Sequence, residues 1–348
     1  MRAETLPKQD LLRLLALGFE RESEPVATDA VLVERRTFRV TAARPAMGTL
    51  VTVTVLVPSR DRGETAIGRA FEEMDRLIAI LSRFEGDSAL THLNIDGQLG
   101  GPPPDLLHVI SRALHFHRVT GGAFDISVAP LLDLFRERAA GPTPPSDTEL
   151  RDALDRVGAQ RIDARRRQIR FGQEGMRVTV DGIAKGYIAD RMARVLEDHR
   201  VRRYLIDAGG DIRVSGRKEG RRPWTVGVRD PWDEDRTPDR LELTRGAVAT
   251  SGSYERYFDP DRRHHHLVEA VEGRSPAATA SVTAVAPTAM AADALATSLF
   301  IMDPDRALAF ADALRGCECL IIDRSGQVLR SRGWRSAAPS NPGEGDLP

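Results

Sequence analysis

Asp293 and Thr297 stand four residues apart in Ala292-Asp293-Ala294-Leu295-Ala296-Thr297. On a helix, positions i and i+4 share a face, so one carboxylate and one hydroxyl reach the same point. Hard oxygen ligands of this kind suit Mg²⁺, which takes one or two protein groups and fills its shell with phosphate and water. Asp293 is the only charge between Ala289 and Ile301. A lone acid in so apolar a helix is costly without a cation. The competing reading is a surface acid next to a threonine that bonds back to a carbonyl. Composition alone leaves both open.

Asp181-Gly182-Ile183-Ala184-Lys185-Gly186 is the second candidate. Its glycines permit close backbone approach to a ligand, and the helix behind them offers its positive end to an anion. Lys185 would be a point charge on a phosphate. It is one of only three lysines (Lys8, Lys185 and Lys218), so it was not placed by habit. The spacing is not that of a Walker A loop, and an ordinary strand-to-helix turn accounts for it equally well.

Weaker signals complete the set. Gly121-Gly122-Ala123-Phe124-Asp125 reads as a glycine cap with an aromatic plug, or as a ligand loop. His264-His265-His266 reads as a metal tract or as a polar loop tip in which at most one imidazole acts. Cys317 and Cys319 are too few for a disulfide framework, and they read as two buried thiols on one face of a strand.

The elements that must position these groups follow from periodicity. Val51, Val53, Val55 and Val57 alternate with Thr52 and Thr54, which predicts a strand. Ile67, Ala70, Phe71, Met74, Leu77, Ile78 and Leu81 recur at helical spacing. Further helices are predicted over 105–119, behind Ser146 with a capping box to Glu149, through Ile188 to Leu196, over 289–302 and over 305–315. Strands are expected near 167–180, within 203–229 and at 281–286, with a closing hairpin around Arg324-Ser325-Gly326. An amphipathic helix from Gln9 to Arg21 and a polar loop from Gly141 to Pro145 are also expected.

Strands and helices mix without a βαβ rhythm. This predicts an α+β fold, a single large domain with mixed sheets packed against helices and flexible ends. The expected limits are a charged leader over 1–40, a domain over 41–332 and a disordered tail over 333–348. Fifty Lys+Arg against fifty-one Asp+Glu, in 348 residues, argue against a globally basic nucleic-acid binder. No apolar run approaches the ~20 residues of a membrane span. Leu11 to Phe19 is interrupted by Arg13 and lacks a basic flank and a cleavage site, so the expected location is cytoplasmic.

The order of the motifs along the chain carries more than any one of them. Met47-Gly48-Thr49, Leu81-Ser82-Arg83-Phe84 with Asp87-Ser88-Ala89-Leu90, and Thr120-Gly121-Gly122-Ala123-Phe124-Asp125 come first. Asp181 to Tyr187, Asp207-Ala208-Gly209-Gly210-Asp211, Thr250 to Phe258, His266-Leu267-Val268 and Ala292 to Thr297 follow. Over residues 44 to 330 the chain resembles the ApbE family of FAD:protein FMN transferases.

That resemblance implies a Mg²⁺-dependent enzyme with FAD as substrate. It would cleave FAD, attach FMN to a Ser or Thr of an acceptor protein and release AMP. Metal ligands would fall on the Gly182 carbonyl, Asp293 and Thr297. FAD contacts would fall on Met47, Phe84, Ala123, Phe124, Asp125, Thr179, Lys185, Leu267 and Ala296. Lys185 would act on phosphate, and His266, with Asp181 behind it, would take the acceptor's proton. Thr179 stands where the family usually has Asp, and Glu269-Ala270 replaces a common Asp-Pro. An FAD pyrophosphatase that uses water and a non-catalytic FAD-binding protein are the alternatives.

Overall fold

The computed structural model describes residues 28–139, 145–259 and 261–337. The elements in chain order begin with strands β1 (Thr28–Glu34), β2 (Thr37–Ala46) and β3 (Thr49–Val57). Helices α1 (Arg60–Leu81) and α2 (Ala89–Asp96), strand β4 (Gln98–Gly100), and helices α3 (Pro104–Val119), α4 (Ala129–Ala139) and α5 (Asp147–Leu154) follow. Next are β5 (Ile162–Arg165), β6 (Gln168–Phe171), α6 (Ala184–Asp198), β7 (Tyr204–Ala208), β8 (Ile212–Ser215), β9 (Trp224–Val228), β10 (Asp239–Leu243) and β11 (Arg245–Gly252). β12 (Thr279–Ala286), α7 (Ala289–Ile301), α8 (Pro304–Asp312), β13 (Glu318–Asp323) and β14 (Val328–Arg330) close the chain.

Nine strands form one sheet in the order β1-β2-β3-β7-β8-β11-β12-β13-β14. The class is α+β, as expected. Mixed sheets were expected within it, but every pairing of this sheet is antiparallel, because neighbours are hairpins or strands that return from the far end. Two small sheets, β4-β6-β5 and the β9-β10 ribbon, flank it. Helices α1, α6 and α7 pack side by side, with α1 on β2 and β3, and α7 on β11 and β12. Phe71, Met74 and Leu77 of α1 are fully buried in that layer, as their spacing requires. Gly63 lets α1 sit on the sheet, since a Cβ there would come within 2.6 Å of Val40 Cγ2. Trp224, Val226 and Leu241 of the ribbon belong to two separate apolar clusters, which also draw on the sheet residues Leu56, Val248 and Leu320.

Two expected boundaries need correction. Residues 28–40 were expected to lie in a charged leader, yet they supply β1 and the start of β2, with Val40 fully buried. The charges of this stretch project from an edge hairpin whose other face is apolar. Residues 333–337 were placed in the tail, yet Trp334 is buried, its indole N–H donates to Asp239 at 3.2 Å, and the Ala337 N–H donates to the Arg240 carbonyl. The expected helix from Gln9 to Arg21, loop residues 141–144 and tail residues 338–348 lie outside the described residues. The expected strand signal near 167–180 resolves into β6 alone, and residues 173–183 run without a strand into α6.

Candidate functional site

The site grows from the contact between α6 and α7. A Cβ on Gly186 would lie 2.3 Å from the Ala289 carbonyl oxygen, so only glycine lets the two helices come this close. Asp190, one turn further along α6, accepts the Ala289 and Met290 N–H groups at 2.9 Å each and so fixes the start of α7. The Gly186 N–H then donates to Asp293 Oδ2 at 3.0 Å.

Thr297 lies one turn beyond Asp293, as the spacing predicts. Its Oγ1 is 3.3 Å from Ser251 Oγ, and a Cβ on Gly182 would sit 2.9 Å from it. Gly182, Asp293 and Thr297, taken from two distant segments, therefore face one small volume. Among the described residues no three His, Cys, Asp or Glu side chains converge as a metal cluster. What meets here is of a different kind: the Asp293 carboxylate and the Thr297 hydroxyl, with Gly182 packed against the latter.

Electrostatics sharpen the corner. Lys185 Nζ lies 2.8 Å from Asp211 Oδ2, and the Asp211 side chain is 3% exposed. Burial pushes the Asp293 carboxyl well above its ordinary range, and the nearby Asp211 charge pushes it further. Burial opposes the Lys185 charge, but Asp211, Glu255 and Asp293 outweigh it and hold the ammonium protonated. Two buried acids share one lysine, and a divalent cation at Asp293 would relieve that imbalance. Asp211 was quoted from sequence only as part of a motif, because its partner is 26 residues away. The one available signal was its place after Gly209-Gly210. A Cβ on Gly209 would clash with Thr49 Oγ1 at 2.2 Å, so this turn is pressed against the β2–β3 hairpin. Met47 and Gly48 at that hairpin tip have φ of 53° and 72°, the signature of a tight two-residue turn.

His266 stands on a short extended pair in which its N–H donates to the Arg256 carbonyl and Tyr257 bridges His265. Its Nε2 is 3.7 Å from Glu255, and burial together with Lys185 lowers its pKa to about 4, so the imidazole is neutral at physiological pH. His265, expected at a polar loop tip, is instead fully buried. Its Nε2 faces the Pro276 carbonyl at 3.3 Å, its Nδ1 accepts the Leu267 N–H, and its ring packs edge-on to Phe300. Asp181 is half exposed and lies 3.3 Å from Arg83 Nε, while its N–H donates to Thr179 Oγ1.

The expected flavin contacts divide by accessibility. Phe84 is 64% exposed, with the guanidiniums of Arg83 and Arg136 at 4.9 and 5.6 Å from its ring centroid. Met47, Ala123 and Lys185 are half-buried. Phe124, Thr179, Leu267 and Ala296 are buried, and Ala296 has no exposed surface at all. Asp125 spends its oxygens on its own loop, accepting from Ser127 and the Ala159 N–H and pairing with His117 at 3.3 Å. A ligand at Asp125 would meet backbone there. Two cavities, of about 370 and 620 Å³, lie away from the Lys185 corner. Cys319 is fully buried, and Cys317 is half-buried. Among the described residues no helix is long and apolar enough to cross a membrane.

A family model described as the ApbE family matches residues 47–321. The chain is 33% identical over 317 residues to the FAD:protein FMN transferase of Treponema pallidum, covering 82% of this chain and 85% of that one. It is 27% identical over 312 residues to the FAD:protein FMN transferase of Escherichia coli, covering 84% and 85%. Among solved structures it is similar to the ApbE protein of Thermotoga maritima, with a TM-score of 0.76 at 31% identity over 84% of this chain and 97% of the other. It is also similar to the flavin transferase ApbE of Vibrio cholerae, with a TM-score of 0.75 at 25% identity over 85% and 98%.

Proposed function

The chain belongs to the ApbE family, and from that premise we propose that it is an FAD:protein FMN transferase that cleaves FAD, moves FMN onto a Ser or Thr hydroxyl of an acceptor protein and releases AMP. The observation that carries the reading is the meeting of Lys185, Asp293 and Thr297 at one corner, from segments about a hundred residues apart. A pure flavin carrier has no need of that corner.

Asp293, Thr297 and the Gly182 carbonyl would hold Mg²⁺, for which their hard oxygens and the strained Asp293 carboxyl are suited. When bound, the ion supplies charge neutralisation along the pyrophosphate. Lys185, kept cationic by Asp211, is placed to offset charge on the phosphate. His266 is neutral above about pH 4 and accepts the proton of the acceptor hydroxyl. As that oxygen bonds to the phosphorus of the FMN half, the bond to the bridging oxygen breaks, and AMP leaves with the electron pair. Phe84, exposed and flanked by two guanidiniums, offers a stacking face for a flavin ring. Asp181, ion-paired to Arg83, positions this segment. The cytoplasmic location expected from Leu11 to Phe19 belongs to the same proposal.

Incubation with FAD and an acceptor protein tests the reading directly. AMP release should require Mg²⁺, stop with EDTA and be absent in Lys185→Met. Release of AMP at an equal rate in EDTA would refute the assignment.

A further inference from the structure

The 620 Å³ cleft falls in the size range of ligand pockets, about 300–1,000 Å³, and nothing in the flavin chemistry uses it. Four arginines line it: Arg262, Arg263, Arg274 and Arg324. Among the described residues the one acid in its lining is Asp147. Arg263 pairs with Asp261 at 3.6 Å, and Arg262 lies over the Tyr257 ring. Among the described residues Arg274 and Arg324 have no carboxylate within ion-pair reach. The neighbouring acids are engaged in turns: Asp259 accepts the Arg263 and His264 N–H groups, and Asp323 accepts those of Ser325 and Gln327.

The cleft is built on the chain segment that carries His266. Phe258 N–H donates to the His264 carbonyl, His266 N–H donates to the Arg256 carbonyl, and Tyr257 bridges His265. On such an extended pair, residues two apart face the same way. His265 therefore turns into the core against Phe300, while His264 and His266 share the other side. His264 stacks on Phe135 at 4.8 Å in the cleft wall, and its Nδ1 is buried without a hydrogen-bond partner. Two residues of strand span about 6–7 Å. A polypeptide lying in the cleft is thus a few residues from the proposed site of transfer.

We propose that this arginine-lined cleft docks an acidic segment of the acceptor polypeptide and so delivers its hydroxyl to His266. This rests on the transferase reading. The arginines come from three separate segments of the chain, and all four are exposed. The helix start at the rim, α5, is closed by the Ser146–Glu149 capping box and carries Asp147, whose charge opposes an anion there. Dispersed, exposed positive charge fits a chain bearing several carboxylates and speeds its encounter.

The test uses a fluorescently labelled peptide with one serine flanked by aspartates, and its counterpart with lysines in their place. The aspartate peptide should bind, and the lysine peptide should not. Arg274→Glu/Arg324→Glu should weaken binding at least about tenfold, and Arg274→Gln/Arg324→Gln by less, with steep salt dependence. Circular dichroism and FAD affinity should be unchanged in both variants. Equal binding of the two peptides, or no loss in the variants, overturns the proposal. So does displacement by millimolar inorganic phosphate beyond that by chloride at the same ionic strength, which would make the cleft a phosphate site. Flavin fluorescence in the same samples separates the two readings. Failure of the unmodified protein to bind FAD would remove the transferase reading, whereas FAD binding without peptide binding would remove only the docking proposal.

Discussion

Arg83 and Asp181 tie the exposed Phe84 ring to the Gly182 turn. Arg83 Nε lies 3.3 Å from Asp181 Oδ2, its NH1 lies 3.2 Å from Asp133, and its guanidinium covers one side of Phe84. Asp181 thus has an ionic partner and sits beside Gly182, a position suited to a brace. Asp181→Asn should raise KM for FAD by up to about fivefold, since a half-exposed pair is worth about 1 kcal/mol or less. The pH profile of kcat should be unmoved. Loss of its acid limb in the variant would make Asp181 the proton acceptor instead.

Asp211 holds Lys185 in place. Asp211→Asn leaves a largely buried ammonium with weaker partners, and such losses cost up to about 3–5 kcal/mol when both groups are fully buried. Lys185 keeps a quarter of its side chain in water, so a loss of about 1–3 kcal/mol in chemical denaturation is expected. FAD cleavage should fall as well. A variant of wild-type stability and rate would show that the ion pair is incidental.

Gly186 sets the distance between α6 and α7. Gly186→Ala gains up to about 1 kcal/mol of helix propensity. It also drives a methyl to 2.3 Å from the Ala289 oxygen and 2.8 Å from the Met290 Cα. Backbone cannot rotate aside, so the clash wins, with a net loss of about 1–3 kcal/mol. The Gly186 N–H bond to Asp293 should lengthen with it. Thermal denaturation and Mg²⁺ titration check both effects, and an unchanged Mg²⁺ requirement for FAD turnover would separate Asp293 from this contact.

His265 makes the fold acid-sensitive. Burial lowers its pKa from 6.5 to about 4. Between those values the unfolded chain takes up a proton that the folded one does not. Stability is therefore full above about pH 6.5, falls as pH drops toward 4 and loses nothing more from this group below that. The loss is on the order of 3 kcal/mol. Urea unfolding at pH 7 and pH 4.5 should show it, and His265→Gln should remove about half of the difference, since burial lowers His266 to about 4 as well. An equal difference in the variant would assign the acid sensitivity to other groups.

Local pattern made the helices legible, and with them the Asp293–Thr297 face and the Lys185 turn. The capping box at Ser146 and the glycine stop at Gly121 were legible for the same reason, since each is settled by residues three or four apart. What could not be read was long-range. Nothing local says that Asp211 meets Lys185, or that Ser251 touches Thr297. The first strands were read as leader because Glu34, Arg35, Arg36 and Arg39 dominate their composition, although Val40 and Ala42 face the core. His265 was missed because a run of three histidines reads as polar, and burial is decided by the bridge to Tyr257.

Intact mass spectrometry of an acceptor protein, after incubation with the enzyme, FAD and Mg²⁺, bears most directly on the transfer itself. The acceptor should gain one FMN on a Ser or Thr while an equal amount of AMP appears. Asp293→Asn should slow this at least about tenfold at limiting Mg²⁺, equivalent to about 1.4 kcal/mol of transition-state stabilisation. Consumption of FAD with no mass gained by the acceptor would contradict the account and make the protein a hydrolase.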